Sequence, residues 1–276
     1  MGRAGVILDL FKRGRVFSYG RARSQRADLH LPSGLGPHPL VVLIHGGSWT
    51  DRYGRIVMRG LVGDLLRRRF AVWNIEYRRV GGGGGWPATF ADVAAAIDYL
   101  PRVDAPLMLD GVTVIGHSAG GHLALWAAAR PRLPDGAPGR ILGEPRMRIA
   151  RVIAQAGVCD LAGAYRLWRG GAVLGLMGGP PEELPERYAA GDPISLLPLS
   201  MPALLVHGTS DETVSIELAR SYERAARAAG SEIELVEIPG AAGRHRAHID
   251  PRGRAWAAVT GHLSAPACGS SVPHAP

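Results

Sequence analysis

The residues with chemistry to offer begin at Gly116-His117-Ser118-Ala119-Gly120. This Gly-x-Ser-x-Gly pattern follows the apolar run Val112-Thr113-Val114-Ile115 and precedes an Ala- and Leu-rich stretch. That order predicts a strand, a sharp turn and a helix, and such a turn lifts the serine hydroxyl to the top of a sheet. The two glycines leave room for strand and helix to approach. The helix beginning there aims its backbone N–H groups and positive dipole end at the same point, which suits a developing oxyanion. The chemistry on offer is nucleophilic attack by Ser118 on a carbonyl carbon.

A serine hydroxyl is a weak nucleophile near neutral pH and needs a base within reach, oriented by a third group. For this kind of turn an acid and then a histidine are expected downstream, each in a loop after a strand. Val206-His207-Gly208-Thr209-Ser210-Asp211 puts Asp211 just past an apolar run, with Glu212 as its near rival. After Ile238-Pro239-Gly240 both His245 and His248 qualify, and loop length does not separate them. His117, His122, His207 and His262 read as polar packing residues. For the oxyanion, one N–H donor is expected from Ala119, the residue after the nucleophile. The others should come from the loop His45-Gly46-Gly47-Ser48-Trp49, through Gly47 and Ser48.

These residues need a scaffold of alternating strands and helices. Leu40-Val41-Val42-Leu43-Ile44 and Ala71-Val72-Trp73-Asn74-Ile75 are continuously apolar, as strands covered on both faces are. Further strand-like runs lie at 112–115, 151–156, 203–207 and 232–238. Helical spacing is read near 57–69, 90–100, 119–130 and 217–229. Short alternating runs at 15–19 and 27–31 read as antiparallel additions. The expected architecture is α/β, a mostly parallel sheet with helices on both faces, which binds ligands beyond the carboxyl ends of its strands. Segment 160–200 interrupts the rhythm and is expected to form a small lid-like insertion in a single domain spanning 1–263. Residues 1–13 read as a short helix or loose arm, and the Ser-, Pro-, Ala- and Gly-rich 264–276 as a disordered tail. Loops near Trp49 and Trp86, together with Trp168, are expected to supply pocket walls.

Composition narrows the function classes. The chain has 276 residues and a formal charge of +8, and Lys12 is its only lysine. The arginines are spread out, without a long basic run or aromatic ladder, so nucleic-acid binding is not expected. Gly81–Gly85 lacks the Gly-Lys-Ser/Thr of a phosphate-binding loop. No His and carboxylate spacing suits a metal. Cys159 and Cys268 are far apart, as in a reducing compartment. No stretch is long and apolar enough for a membrane span, and Val6-Ile7-Leu8 is too short for a signal peptide. A cytoplasmic protein without nucleic-acid or membrane partners is expected, as monomer or dimer.

With His45-Gly46-Gly47-x-Trp49, Gly116-His117-Ser118-Ala119-Gly120-Gly121 and His207-Gly208-x-x-Asp211 in this order, the chain resembles the α/β-hydrolases from about Tyr19 to Trp256. Within them it is similar to the branch of hormone-sensitive-lipase-like esterases and kynurenine formamidases. Glu76-Tyr77-Arg78 resembles the Asp-Tyr-Arg turn of that branch. Ser48 stands where many of its esterases carry a third glycine. In the family the histidine precedes Ile-Asp-Pro by about four residues, a spacing that His245 meets with Ile249-Asp250-Pro251. Gly243-Arg244 departs from the usual loop by one or two extra residues. The resemblance implies acyl-enzyme hydrolysis of a small ester or aryl formamide, with Ser118 as nucleophile, His245 as base and Asp211 as its orienter. N-formylkynurenine is one implied substrate, and the resemblance implies no cofactor. A hydrolase scaffold kept as a binding protein is the other reading; such proteins usually lack a triad member, and this chain carries candidates for all three.

Overall fold

A computed structural model describes residues 14–263. The expected arm at 1–13 and tail at 264–276 lie outside the described residues. Eight strands form one sheet: β1 (Arg15–Ser18), β2 (Arg26–His30), β3 (His38–Ile44), β4 (Ala71–Ile75), β5 (Leu107–His117), β6 (Arg148–Gln155), β7 (Ala203–Gly208) and β8 (Ile233–Ile238). Their order is β1-β2-β4-β3-β5-β6-β7-β8. The β1–β2 and β2–β4 pairs are antiparallel and all others parallel. Strand β5 starts five residues before the expected run, because a register shift around Gly111 lets Leu107 and Met108 pair with β3.

Helices cover both faces, and the period of two along the strands decides which residues meet which helix. Val41, Leu43, Val72, Ile115, Ile153 and Leu204 face one way, against α1 (Arg59–Arg67) and α8 (Arg254–Gly261). Val42, Ile44, Trp73, Val114, Ala154 and Leu205 face the other way. There they meet α2 (Ala88–Asp98), α3 (Ala119–Ala129) and α7 (Ile216–Ala228). Helix α3 is buried along its whole length, which its run of Ala and Gly permits. A Cβ on Gly116 would overlap the Gly120 carbonyl, and one on Gly120 would overlap the Ile44 carbonyl. These two glycines let β5, α3 and β3 meet at the point where Ser118 emerges.

Segment 160–200 folds into α4 (Leu161–Leu167), α5 (Gly171–Met177) and α6 (Pro185–Gly191). Asp192, almost fully buried, ties it down by accepting the N–H groups of Leu161 and Ala162, each at 2.9 Å. No helix among the described residues is long and apolar enough to cross a membrane.

Candidate active site

Ser118 occupies the corner between β5 and α3 with φ 56° and ψ −123°. A non-glycine residue in that region costs on the order of 1–3 kcal/mol and persists only when its surroundings hold it. Here the Ser118 N–H donates to the Gln155 carbonyl at the end of β6, at 2.9 Å, and the Ser118 carbonyl accepts from Gly121 at 2.8 Å. The Ser118 hydroxyl donates to His245 Nε2 across 2.9 Å, and His245 Nδ1–H donates to Asp211 Oδ2 across 2.8 Å. The three side chains stand on the segments that follow β5, β7 and β8, at the carboxyl ends of parallel strands.

Of the two histidines left open by loop length, His245 is the one that meets Ser118. His248 is fully buried with no hydrogen-bond partner on either ring nitrogen, and burial pushes its pKa down to about 4. The extra Gly243-Arg244 has a structural use. A Cβ on Gly208 would overlap the Gly243 carbonyl, so the two backbones touch and draw the Asp211 loop against the His245 loop.

Asp211 is held from several sides. Its Oδ1 accepts the N–H groups of Thr213 at 2.9 Å and Val214 at 3.0 Å. Burial works to raise its pKa, but the His245 hydrogen bond and these backbone donors outweigh burial and hold the carboxyl below its usual range. His207 Nε2 donates to the Val214 carbonyl at 2.9 Å and lies 3.6 Å from Asp211 Oδ2. Glu212, the rival acid, takes no part in this chain of hydrogen bonds. His117 does more than pack. Its Nε2–H donates to the His245 carbonyl at 3.0 Å and its ring lies 4.7 Å from that of His245. Burial first, and the neighbouring His245 next, push the His117 pKa down to about 3, so it stays neutral. Nothing in the spacing of 128 residues between these two histidines signals that bond.

On the other side of Ser118 the chain turns through positive φ at three successive residues, Gly47 (119°), Ser48 (52°) and Trp49 (56°). Among the described residues the N–H groups of Gly47, Ser48 and Ala119 have no hydrogen-bond partner. They are therefore available to an anionic oxygen beside Ser118. The loop is anchored from behind by buried charge. His45 Nε2 lies 2.7 Å from Glu76 Oε1, Arg79 reaches the same carboxylate at 3.0 Å, and the Tyr77 hydroxyl donates to the His45 carbonyl at 2.9 Å. Burial would raise the Glu76 pKa, yet His45 and Arg79 together hold it below the usual carboxylate range. The sequence shows Glu76-Tyr77-Arg78 only as a turn, and not that the Glu76 carboxylate anchors the loop through Gly47 and Ser48.

Two clefts meet at Ser118. One, of about 260 Å3, is lined by Trp49, Ala119, Val158, Trp168, Ala172 and Val214 among others. The second, of about 240 Å3, is lined by Tyr53, Val57, His117, His245, Arg246 and Ile249 among others. Ser48 and Thr213 border both. Trp49 is fixed by its indole N–H, which donates to His122 Nδ1 at 3.3 Å, while His122 Nε2–H donates to the Gly191 carbonyl. Trp86, expected in a pocket wall, lines neither cleft. Half-buried, it packs edge-on against Phe90, 5.0 Å between ring centres, at the side of the core. No cluster of three or more metal-ligating side chains occurs among the described residues.

A mostly parallel eight-stranded sheet, helices on both faces and a serine on the strand-to-helix turn define the α/β-hydrolase fold. Solved structures share the fold. A truncated carbohydrate esterase from gut microbiota superposes with a TM-score of 0.74 at 21% identity, covering 90% of this chain and 95% of that one. An inhibited esterase B from Lactobacillus rhamnosis gives 0.72 at 21% identity, covering 90% and 84%. Within the class, the chain belongs to the BD-FAE family, whose sequence model matches residues 27–225. Among curated proteins it is similar to the isoprenylcysteine alpha-carbonyl methylesterase of Arabidopsis thaliana, 28% identical over 82% of this chain and 55% of that protein. It is also similar to the esterase LipQ of Mycobacterium tuberculosis, 27% identical over 74% of this chain and 49% of that protein. The chain thus spans about half the length of the curated relatives it matches.

Proposed function

We propose that the protein hydrolyses carboxylic esters through an acyl-enzyme on Ser118. The observation that carries this reading is the unbroken hydrogen-bond line from Asp211 through His245 to Ser118, at 2.8 and 2.9 Å. Ser118 Oγ attacks the ester carbonyl carbon while His245 Nε2 takes its proton. The carbonyl oxygen gains charge and is met by the N–H groups of Gly47, Ser48 and Ala119. His245 then returns the proton to the leaving alkoxide, the C–O bond breaks, and the acyl group stays on Ser118. Water, deprotonated by His245, attacks that ester; His245 then gives the proton to Ser118 Oγ as its bond to the acyl carbon breaks, releasing the acid. Asp211 keeps the Nδ1 proton on His245 and offsets the imidazolium charge in each half. The curated relatives named as esterases support an ester over a formamide. No cofactor enters any step.

The test is hydrolysis of 4-nitrophenyl acetate beside N-formylkynurenine, with Ser118→Ala as control and fluorophosphonate labelling in parallel. Labelling of wild type but not the variant, with faster turnover of the acetate, is expected. Preference for N-formylkynurenine would make the protein a formamidase. Absence of label would leave a non-catalytic scaffold.

A further inference from the structure

The two clefts at Ser118 differ in which of them contains the base, and that difference orients the substrate. In the tetrahedral adduct the carbonyl carbon carries Ser118 Oγ, the oxyanion, the acyl chain and the leaving oxygen. The leaving oxygen must face His245 Nε2 to receive its proton. His245 lines the 240 Å3 cleft and is absent from the lining of the other. The leaving alcohol therefore occupies the cleft of Tyr53, Val57, Arg246 and Ile249. The acyl group takes the direction of Trp49, Val158, Trp168 and Val214.

The charges in the two clefts are unequal. No ionised residue lines the acyl cleft. The leaving-group cleft contains one permanent charge, Arg246, and no carboxylate in its lining. The nearby carboxylates are engaged elsewhere, Asp211 by the His245 hydrogen bond and Asp250 by Arg252, which leaves Arg246 without a carboxylate partner among the described residues. Below it, Val57 and Ile249 are half-buried apolar surface, and Tyr53, 48% exposed, offers an aromatic side wall. Resting on the esterase reading above, we infer that the preferred substrate joins an uncharged acyl group to an alcohol with an apolar or aromatic body and an anionic end, which Arg246 meets. The guanidinium suits a carboxylate, which it can grip with two parallel N–H bonds.

The experiment compares kcat/KM for 4-carboxyphenyl acetate with that for 4-carbamoylphenyl acetate in wild type, Arg246→Ala and Arg246→Glu. Intrinsic leaving-group reactivity cancels when the ratio is compared between proteins. The wild-type ratio should exceed that of Arg246→Ala by about 1.5- to fivefold, the range of a solvent-exposed ion pair. It should fall further in Arg246→Glu and shrink with added salt. Arg244→Ala, an exposed neighbour outside the lining, should keep most of the preference. Moving the charge to the acyl side, with 4-nitrophenyl hemisuccinate against 4-nitrophenyl butyrate, should show no dependence on Arg246. An unchanged leaving-group ratio in both Arg246 variants, or a dependence on acyl-side charge instead, overturns the inference while the esterase reading stands. Absence of any hydrolysis sensitive to Ser118→Ala overturns both.

Discussion

Replacing His248 with leucine should protect the protein against acid, by an amount that does not depend on how well leucine packs. The His248 side chain is fully buried, its ring nitrogens have no partners, and burial lowers its pKa from 6.5 to about 4. A group with a depressed histidine pKa binds its proton in the unfolded chain before it does so in the native one. Stability is therefore lost as pH falls from 6.5 towards about 4, and no more is lost below that. At 1.36 kcal/mol per pH unit, the loss from this one residue reaches about 2 kcal/mol at pH 5. Leucine, of similar volume, has no proton to bind. The stability difference between variant and wild type should thus grow in the variant's favour by about 2 kcal/mol between pH 8 and pH 5, whatever constant packing term separates them. Urea titrations followed by tryptophan fluorescence at pH 8, 6.5 and 5 measure this. A difference that stays flat with pH would refute the argument. Some acid sensitivity should remain in the variant, because burial also depresses His117 and His122, to about 3 and about 4. Ester hydrolysis at neutral pH should survive in the leucine variant.

Three further predictions concern the site. Asp211→Asn should cut kcat for 4-nitrophenyl acetate by about four orders of magnitude, since an amide facing His245 Nδ1 favours the wrong tautomer, while the circular dichroism spectrum stays native. Gly208→Ala should lower activity at least tenfold, because a Cβ there overlaps the Gly243 carbonyl and pushes the acid and base loops apart. Thermal unfolding should report a loss of about 1–3 kcal/mol, the usual size of an overpacking penalty. Glu76→Gln leaves the buried His45 and the half-buried Arg79 without their carboxylate, and chemical denaturation should show a loss of about 3 kcal/mol. Its kcat should fall more than its KM rises, because the oxyanion donors matter most in the transition state.

The parallel core was legible because strands covered on both faces must be continuously apolar, as residues 40–44 and 71–75 are. The strand–turn–helix at Ser118 was legible because the required glycines are adjacent in sequence. The loop motif around Asp211 was readable for the same local reason. The choice of base was not local. His245 and His248 are three residues apart and both lie at the end of the same strand. Loop length leaves both rings eligible, and only the resemblance, through the spacing of His245 to Ile249-Asp250-Pro251, singles out the histidine that meets Ser118 at 2.9 Å. The pocket walls were less legible still. Trp49, Trp86 and Trp168 are all large and apolar, yet Trp86 packs half-buried against Phe90 and lines neither cleft. Likewise, the bonds from His117 to the His245 carbonyl and from His45 to Glu76 join segments that only the folded sheet brings together.

The order of strands across the sheet also sets a timetable. Strands β3 to β6, which hold Ser118 and its turn, are central and come early in the chain, whereas β7 and β8 are added outward at one edge, bringing first the acid and then the base. Because synthesis runs from the amino terminus, residue 118 leaves the ribosome well before residue 245 does. During that interval the serine has nothing to take its proton. On the proposed ester-hydrolysing reading, the capacity to attack an ester should appear only when the last edge of the sheet closes.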